Sequence, residues 1–305
     1  MSLRRRGYLL AGLAACFWAL GALVAKGLFG RFAFTLEPAQ LSAARAGTSF
    51  IAIALLLVAW RRSAFRLPLR ALPFMVVFGV AGQALLHLTY YMAIAHAGVA
   101  TAILLQYLAP VLVMIVSVLF LGERFTLVLP AAVSLAVVGC ALMVGAVGSR
   151  GLTVSNTGIA WGLVSAAFFS CYILMGKVAA GRYSSWTLLV YGLGAASLFW
   201  LVYFRGFSAL AAAYSAPVGA VAVLFISLVG TLLPFGLFLK ALEYIEATEA
   251  GITATLEPVV AGVGAFLLLG EALTVVQLVG AALVIAAIVL VQTTTLRDGM
   301  LPPGD

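Results

Sequence analysis

The sequence predicts an all-α integral membrane protein with ten transmembrane helices, arranged as two inverted five-helix repeats. Composition, ten long apolar runs and a similarity between the two halves of the chain all support this fold class. Of the 305 residues, 65% are hydrophobic and only 9% are charged, and the mean hydropathy is +1.21. A globular domain contains roughly 25% charged residues, so this chain would expose large apolar patches in water. Composition therefore predicts the lipid bilayer as its surroundings.

Ten apolar runs are long enough for a helix to cross a bilayer, which takes about 20 residues. Short segments containing Gly, Pro and Arg separate them, as expected for an antiparallel helical bundle. The predicted spans are 7–29, 37–60, 72–95, 98–121, 127–147, 157–178, 185–204, 217–239, 249–270 and 274–293.

The basic residues predict the orientation. With the N-terminus in the cytoplasm, twelve Lys and Arg lie on the inner side and three on the outer side, as the positive-inside rule requires. Both termini are then cytoplasmic. Because the formal charge of +8 resides mostly in these short loops, no nucleic-acid partner is expected. The inner residues are Arg4, Arg5, Arg6, Arg61, Arg62, Arg66, Arg70, Arg124, Lys177, Arg182, Lys240 and Arg297; the outer ones are Arg31, Arg150 and Arg205.

The two halves of the chain repeat one another. A shift of 148 residues places Pro110 on Pro258, and Leu121-Gly122-Glu123 on Leu269-Gly270-Glu271. Five helices per half is an odd number, so the second copy enters the membrane from the opposite side, as in many secondary transporters. The predicted units are a first repeat over 1–147, an outer linker over 148–156, a second repeat over 157–293 and a cytoplasmic tail over 294–305.

The chain resembles the drug/metabolite transporter superfamily in its EamA-domain branch. The resemblance rests on the stretch from Gly12 to Trp18, on Arg45, and on the repeated proline and Leu-Gly-Glu motifs. The aromatic third and fourth spans, around 87–91 and 106–107, look most like YddG-type amino-acid exporters. The resemblance implies a bacterial inner-membrane exporter of small metabolites.

Pro110 and Pro258 are candidate hinges. Neither can donate a backbone hydrogen bond, so the carbonyls of Gln106 and Ala254 lose their helical partners at matching places in the two halves. Paired interruptions of this kind point to a central binding site and to helices that bend during transport. The alternative is that proline is merely tolerated in a membrane helix.

Polar side chains in the third and fourth spans are candidates for binding a solute. Gln83, His87 and Tyr90 share one helical face, and Gln106 with Tyr107 could complete that wall. Buried polar groups at this depth usually face the bundle interior or a wet cavity. The alternative is that they form hydrogen bonds between helices. Tyr91 is expected to face elsewhere.

Four aromatic residues of the first and sixth spans could gate or line the same cavity, although core packing would also explain them. They are Trp18, Phe168, Phe169 and Tyr172. Glu257, deep in the ninth span, needs a partner, water or a proton at that depth, which makes it the candidate coupling residue. Arg45 is expected to hold backbone carbonyls.

Other functions fit the sequence less well. There is no phosphate-binding loop for ATP hydrolysis and no HExxH or GxSxG motif, so neither an enzyme nor a bound metal or cofactor is expected. A channel or interaction protein would not explain the inverted repeat. We therefore expect a monomer or weak homodimer that exports small metabolites, most of all neutral and aromatic amino acids, by alternating access. The alternative substrates are cationic drugs or other apolar metabolites.

Overall fold

The computed structural model describes residues 2–31, 36–146, 155–269 and 272–298. Most of the predicted linker, Gly270, Glu271 and the tail beyond 298 lie outside these ranges. Within them the regular secondary structure is helical, and the one β-type contact is an isolated bridge between Ala180 and Tyr183.

The described residues of the first half of the chain form six α-helices. Two 3₁₀ turns, Arg62–Phe65 and Leu69–Ala71, precede the third helix, and a π-helical turn, Val80–Leu85, joins the third helix to the fourth. The helices are α1 (Leu3–Arg31), α2 (Pro38–Trp60), α3 (Leu72–Gly79), α4 (Leu86–Gln106), α5 (Ala109–Phe120) and α6 (Val128–Met143).

In the second half, the part of the chain that the structure describes forms eight α-helices. Ser155 and Ser184 cap the first two by accepting hydrogen bonds from backbone N–H groups, and a π-helical turn, Leu228–Leu232, joins the fourth to the fifth. The helices are α7 (Asn156–Ala179), α8 (Ser185–Tyr203), α9 (Ser208–Ala213), α10 (Pro217–Ser227), α11 (Leu233–Ala241), α12 (Ala247–Ala254), α13 (Leu256–Leu269) and α14 (Val275–Asp298).

Eight helical stretches among the described residues are long and apolar enough to cross a membrane. The predicted third and fourth spans fall within one 52-residue stretch, Leu69–Phe120, which Gly98 interrupts with a non-helical φ of 77° and ψ of 165°. The predicted fifth span corresponds to α6, which is shorter at 16 residues. The ten-span count therefore stays a prediction. The eight stretches are Leu3–Leu23, Pro38–Trp60, Leu69–Phe120, Asn156–Ala179, Ser185–Tyr203, Pro217–Ala241, Ala247–Leu268 and Val275–Thr294.

Helix irregularities occur at equivalent places in the two halves. The π-helical turns begin at Val80 and Leu228, which are 148 residues apart, the same shift that relates Pro110 to Pro258. Each proline follows a helix break, between α4 and α5 and between α12 and α13. Such π-turns often occur at functional sites, and these four irregular segments surround the residues described below.

Glycines allow two helix pairs to pack backbone against backbone. A Cβ atom added to Gly79 of α3 would lie 2.3 Å from the carbonyl oxygen of Gly192 in α8. A Cβ atom added to Gly280 of α14 would lie 2.7 Å from the carbonyl oxygen of Gly139 in α6. Small residues permit this close approach where lipid supplies no hydrophobic driving force.

Charged residues tie the N-terminus of α12 to neighbouring helices at the end of the bundle that contains Arg4. Arg4 Nη2 lies 3.2 Å from Glu249 Oε1, and Lys177 Nζ lies 3.0 Å from Glu246 Oε2. The Thr248 hydroxyl donates a 2.7 Å hydrogen bond to Glu123 in the loop after α5. Burial raises the pKa of Glu123, and the hydrogen bond from Thr248 partly opposes that shift.

Candidate functional site

The π-helical turn places Gln83 and His87 together in the interior. Gln83 is 2% exposed, and its side-chain oxygen has no hydrogen-bond partner among the described residues. His87 Nδ1 lies 2.5 Å from the backbone oxygen of Gln83. Because a carbonyl can only accept, Nδ1 carries the proton, and Nε2 of the neutral ring is left as an acceptor. Two acceptors thus remain unused on this turn.

Tyr90 lies one helical turn further along α4 and is half-buried. Its ring centroid lies 5.9 Å from that of Tyr91, and its hydroxyl makes no hydrogen bond among the described residues. The hydroxyl is close enough to interact electrostatically with both Arg45 and Glu257. Tyr90 is therefore near both Arg45 and Glu257.

An aromatic cluster adjoins His87. The Trp18 ring lies 6.0 Å from Phe169 and 5.2 Å from Phe235, both in edge-on geometry. Tyr172 is fully buried, lies 5.0 Å from Phe235, and donates a hydrogen bond to the Phe235 carbonyl at 3.0 Å. The His87 ring lies 5.1 Å from Phe235. Phe235 is thus the shared neighbour of the predicted aromatics and the polar turn.

Phe235 and Phe238 adjoin this candidate site, although the sequence analysis did not single them out. Phe238 is fully buried, and its ring lies 5.4 Å from that of Trp18. The repeat contained the signal: the shift of 148 residues that pairs the prolines also pairs His87 with Phe235 and Tyr90 with Phe238. Applying the shift to the polar face of the third span would have found both.

Arg45 of α2 bridges the two halves of the chain. It is 7% exposed, and its guanidinium donates to the Thr231 hydroxyl, to the Gly230 carbonyl at 3.0 Å and to the Tyr91 hydroxyl at 2.7 Å. The guanidinium carbon also lies 5.9 Å from the Phe235 ring centroid. The sequence placed Tyr91 outside the face of Gln83, His87 and Tyr90, and in the structure its hydroxyl faces this arginine.

Glu257 meets Tyr107 where α12 breaks before α13. The Tyr107 hydroxyl is buried, lies 2.7 Å from Glu257 Oε2, and lies 3.0 Å from the carbonyl oxygen of Ala254. That carbonyl is the one Pro258 leaves without a helical donor. The hydroxyl has only one proton, so it donates to Glu257 when the carboxylate is ionised. When Glu257 is protonated, the hydroxyl can accept from it and donate to Ala254.

The two prolines are buried next to these groups. Pro110 is the second residue of α5. Its ring lies against Gly251 of α12, in the other half of the chain, because a Cβ atom added to Gly251 would be 3.7 Å from Pro110 Cγ. Pro258 follows Glu257 directly in α13. The helix breaks therefore adjoin the residues that the sequence nominated as binding and coupling groups.

Gln106 and Phe168 are less closely joined to the cluster. Gln106 Nε2 donates to the Ser165 hydroxyl at 2.9 Å and so links α4 to α7. Phe168 packs against the same hydrophobic core, but it makes no ring contact with the cluster among the described residues. Their assignment to the substrate site stays a prediction.

The fold and this interior define a class of protein. Membrane-length helices surround a buried set of polar and aromatic side chains, and in the described ranges no group of three or more His, Cys, Asp or Glu could hold a metal ion. Ionisable residues at membrane depth mark solute or ion pathways. The chain is a multi-pass membrane transporter.

The chain belongs to the EamA-like transporter family of the drug/metabolite transporter superfamily, which it matches over residues 5–145 and again over 156–293. It is 33% identical over 202 residues to an uncharacterized transporter of Archaeoglobus fulgidus, covering 66% of this chain and 70% of the relative. It is 25% identical over 225 residues to the uncharacterized inner membrane transporter YicL of Salmonella typhimurium, covering 73% and 74%. These relatives and the long apolar helices support a multi-pass protein of the inner membrane.

Two further comparisons concern substrate and fold. The chain is 30% identical over 233 residues to a probable terminal-alkyne amino-acid exporter of Streptantibioticus cattleyicolor, covering 74% of this chain and 75% of the relative. A protein of known crystal structure with 19% sequence identity superposes with a TM-score of 0.78, covering 95% of this chain and 98% of that one. The structural likeness shows a shared fold.

Proposed function

We propose that this chain exports small metabolites, most of all neutral and aromatic amino acids, by alternating access. The observation that carries the proposal is the convergence of polar side chains on an aromatic cluster inside the bundle. Gln83, His87 and Tyr90 each have a polar atom without a hydrogen-bond partner among the described residues. Both halves of the chain contribute, since Phe235 and Glu257 come from the second.

The proposed architecture is ten transmembrane helices in two inverted repeats, 1–147 and 157–293, joined by an outer linker over 148–156. A cytoplasmic tail over 294–305 follows, and both termini are cytoplasmic. The double family match and the paired π-helical turns support the two repeats. The excess of basic residues in the inner loops supports the orientation.

Motion in this proposal occurs at the breaks before Pro110 and Pro258. Each break lacks continuous helical hydrogen bonding, so bending there disrupts few bonds. The two breaks lie next to the proposed site, with Tyr107 at one and Glu257 at the other. Bending of one half and then the other exposes the site to each side of the membrane in turn.

Glu257 is the proposed coupling residue. Tyr107, Tyr90 and Arg45 surround it within electrostatic range, as does Cys140 of α6. Protonation of the carboxylate would redirect the Tyr107 hydroxyl to the Ala254 carbonyl. A proton bound there would thereby change the hydrogen bonding of a helix break, which is the link that coupling requires.

Apolar substrates with few charges fit the lining of the site. Trp18, Phe169 and Phe235 offer ring faces and edges, and the interior contains one arginine and one glutamate near them. The relative named as a probable terminal-alkyne amino-acid exporter supports amino acids as the solute. Cationic drugs are the second candidate, since Glu257 and two tyrosines could hold a cation by charge and by ring contact.

Uptake of radiolabelled phenylalanine into proteoliposomes, with and without a pH gradient, tests the proposal. We expect wild type to take up phenylalanine and Tyr107→Ala to lose most of that uptake. Glu257→Gln should lose the response to the gradient at saturating phenylalanine. Arg182→Gln, in an exposed loop, is the matched control and should behave as wild type.

Two results would count against this function. A folded wild-type protein that takes up no amino acid, yet takes up a lipophilic cation, would favour the cationic-drug alternative. Full phenylalanine uptake by Tyr107→Ala would remove the site from the position proposed here.

A further inference from the structure

Two opposite charges face the interior from different halves of the chain without pairing. Arg45 lies on α2 and Glu257 on α13. They are close enough to interact electrostatically, yet they form no ion pair within 4.0 Å. Charged groups at membrane depth usually pair with one another or with polar groups. Here each is held by neutral partners, which leaves both charges available to a ligand.

Arg45 retains hydrogen-bonding capacity. A guanidinium has five N–H donors, and three protein acceptors engage one donor on each of its three nitrogens: Thr231, Tyr91 and Gly230. One N–H on each terminal nitrogen is therefore left. Two such donors match the two oxygens of a carboxylate, the geometry in which arginine binds carboxylates best.

Glu257 and its surroundings retain accepting capacity. Tyr107 occupies Oε2 of Glu257, while Oε1 has no partner among the described residues, and the side chain is half-buried. The Gln83 side chain is 2% exposed, and its oxygen has no hydrogen-bond partner among the described residues. His87 Nε2 is a further acceptor without a donor among the described residues, but His87 lies near Arg45 rather than Glu257. Glu257 Oε1 is therefore the charged acceptor available to an ammonium group.

From these contacts we infer that the site recognises the zwitterionic head group of a free α-amino acid. Arg45 binds the α-carboxylate, and Glu257 binds the α-ammonium group. The amino-acid side chain packs on the rings of Trp18 and Phe235. This inference rests on the proposed function and adds the chemistry that selects the substrate.

The arrangement has a consequence for selectivity. A compound with only the amine leaves Arg45 unsatisfied, and one with only the carboxylate leaves Glu257 unsatisfied. An unmet charge-assisted hydrogen bond in a water-poor site lowers affinity by about tenfold or more. Phenylalanine should therefore bind at least about tenfold more tightly than 2-phenylethylamine or 3-phenylpropionate.

Dissociation constants of the purified full chain in lipid nanodiscs test this assignment. The ligands are phenylalanine, 2-phenylethylamine and 3-phenylpropionate, measured by calorimetry at one pH and salt concentration. Arg45→Gln should abolish the preference for phenylalanine over the amine and keep its preference over the acid. Glu257→Gln should do the reverse. Arg182→Gln should keep both preferences.

A general loss of stability weakens the binding of every ligand, so it does not change the ratio of two dissociation constants within one variant. A change in that ratio therefore reports recognition of the ligand. Arg45→Lys keeps the positive charge but lacks the paired N–H donors of a guanidinium, and it replaces Arg45→Gln if that variant does not fold. It should bind phenylalanine with a smaller preference over the amine than wild type shows. The inference would be overturned if Glu257→Gln and either Arg45 variant bound phenylalanine and still preferred it over both the amine and the acid. The proposed function would survive that result. A wild-type chain that binds no phenylalanine would overturn the proposed function along with the inference.

Discussion

Tyr107 shows how one hydroxyl can report the state of a neighbouring acid. It lies within hydrogen-bond distance of both Glu257 and the Ala254 carbonyl, and it has one proton to donate. Its donor direction therefore depends on whether Glu257 is ionised. This links a chemical change at one residue to the backbone of a helix break, which is the smallest unit of the proposed coupling.

Residue chemistry was partly predictable from sequence. The third-span face was identified because Gln83, His87 and Tyr90 are rare polar groups in an apolar run. Phe235 was not, because an aromatic residue in an apolar helix stands out only when the 148-residue shift pairs it with His87, and the polar face was not carried across that shift. The direction of Tyr91 also could not be derived, since it depends on where Arg45 of another helix points.

Glu123 provides a prediction about pH. Burial raises the pKa of this carboxyl above its ordinary value of about 4.5, so the folded state favours the protonated form. Its contribution to stability is fully present below about pH 4.5 and is lost as pH rises through the folded pKa. Glu123→Gln should therefore melt about 2–4 °C higher than wild type at pH 7, with the difference vanishing near pH 4.

Melting temperatures across pH 4 to 8 in one detergent check this prediction. The difference between wild type and variant isolates Glu123, because the other acids titrate in both proteins. Arg182→Gln should follow the wild-type curve. A variant curve parallel to that of wild type would mean that Glu123 titrates normally in the folded protein.

At the scale of elements, the sequence predicted the broken helices but not their form. Pro110 and Pro258 indicated two matched interruptions, and both lie just after helix breaks. No comparable residue in the sequence predicted the π-helical turns at Val80–Leu85 and Leu228–Leu232. They contain no proline, and the first is fixed by packing, since Gly82 lies against Tyr172 of α7.

Packing between α6 and α14 gives a prediction about stability. A Cβ atom at Gly280 would lie 2.7 Å from the Gly139 carbonyl oxygen and 2.8 Å from Leu142 Cβ, so the helices would have to separate. Gly280→Ala should destabilise the protein by about 1–3 kcal/mol. Gly12→Ala is the matched control, because its nearest neighbour, Leu256 Cδ2, would be 3.9 Å away.

Thermal unfolding of both variants in the same detergent measures the effect. Alanine favours a helix over glycine by up to about 1 kcal/mol, so Gly12→Ala should be neutral or slightly stabilised. If Gly280→Ala were stabilised as much as the control, the close packing of α6 on α14 would be wrong.

Across the whole molecule, the interior groups join the two halves. Arg45 of the first half binds Thr231 and Gly230 of the second, and Tyr107 of the first binds Glu257 of the second. At the end containing Arg4, ion pairs to Glu249 and Glu246 fasten α12 to α1 and α7. A solute held between Arg45 and Glu257 would engage both halves at once, as a carrier with a single central site requires.

Counterflow in proteoliposomes tests whether the chain transports amino acids by alternating access. Vesicles containing wild-type protein are loaded with unlabelled phenylalanine at saturating concentration and diluted into a trace of labelled phenylalanine. A carrier that presents one site alternately to the two sides must accumulate label above its equilibrium level before the overshoot decays. We expect that overshoot in wild type and in Arg182→Gln, and its loss in Tyr107→Ala. Label that enters wild-type vesicles and reaches equilibrium without an overshoot would contradict alternating access.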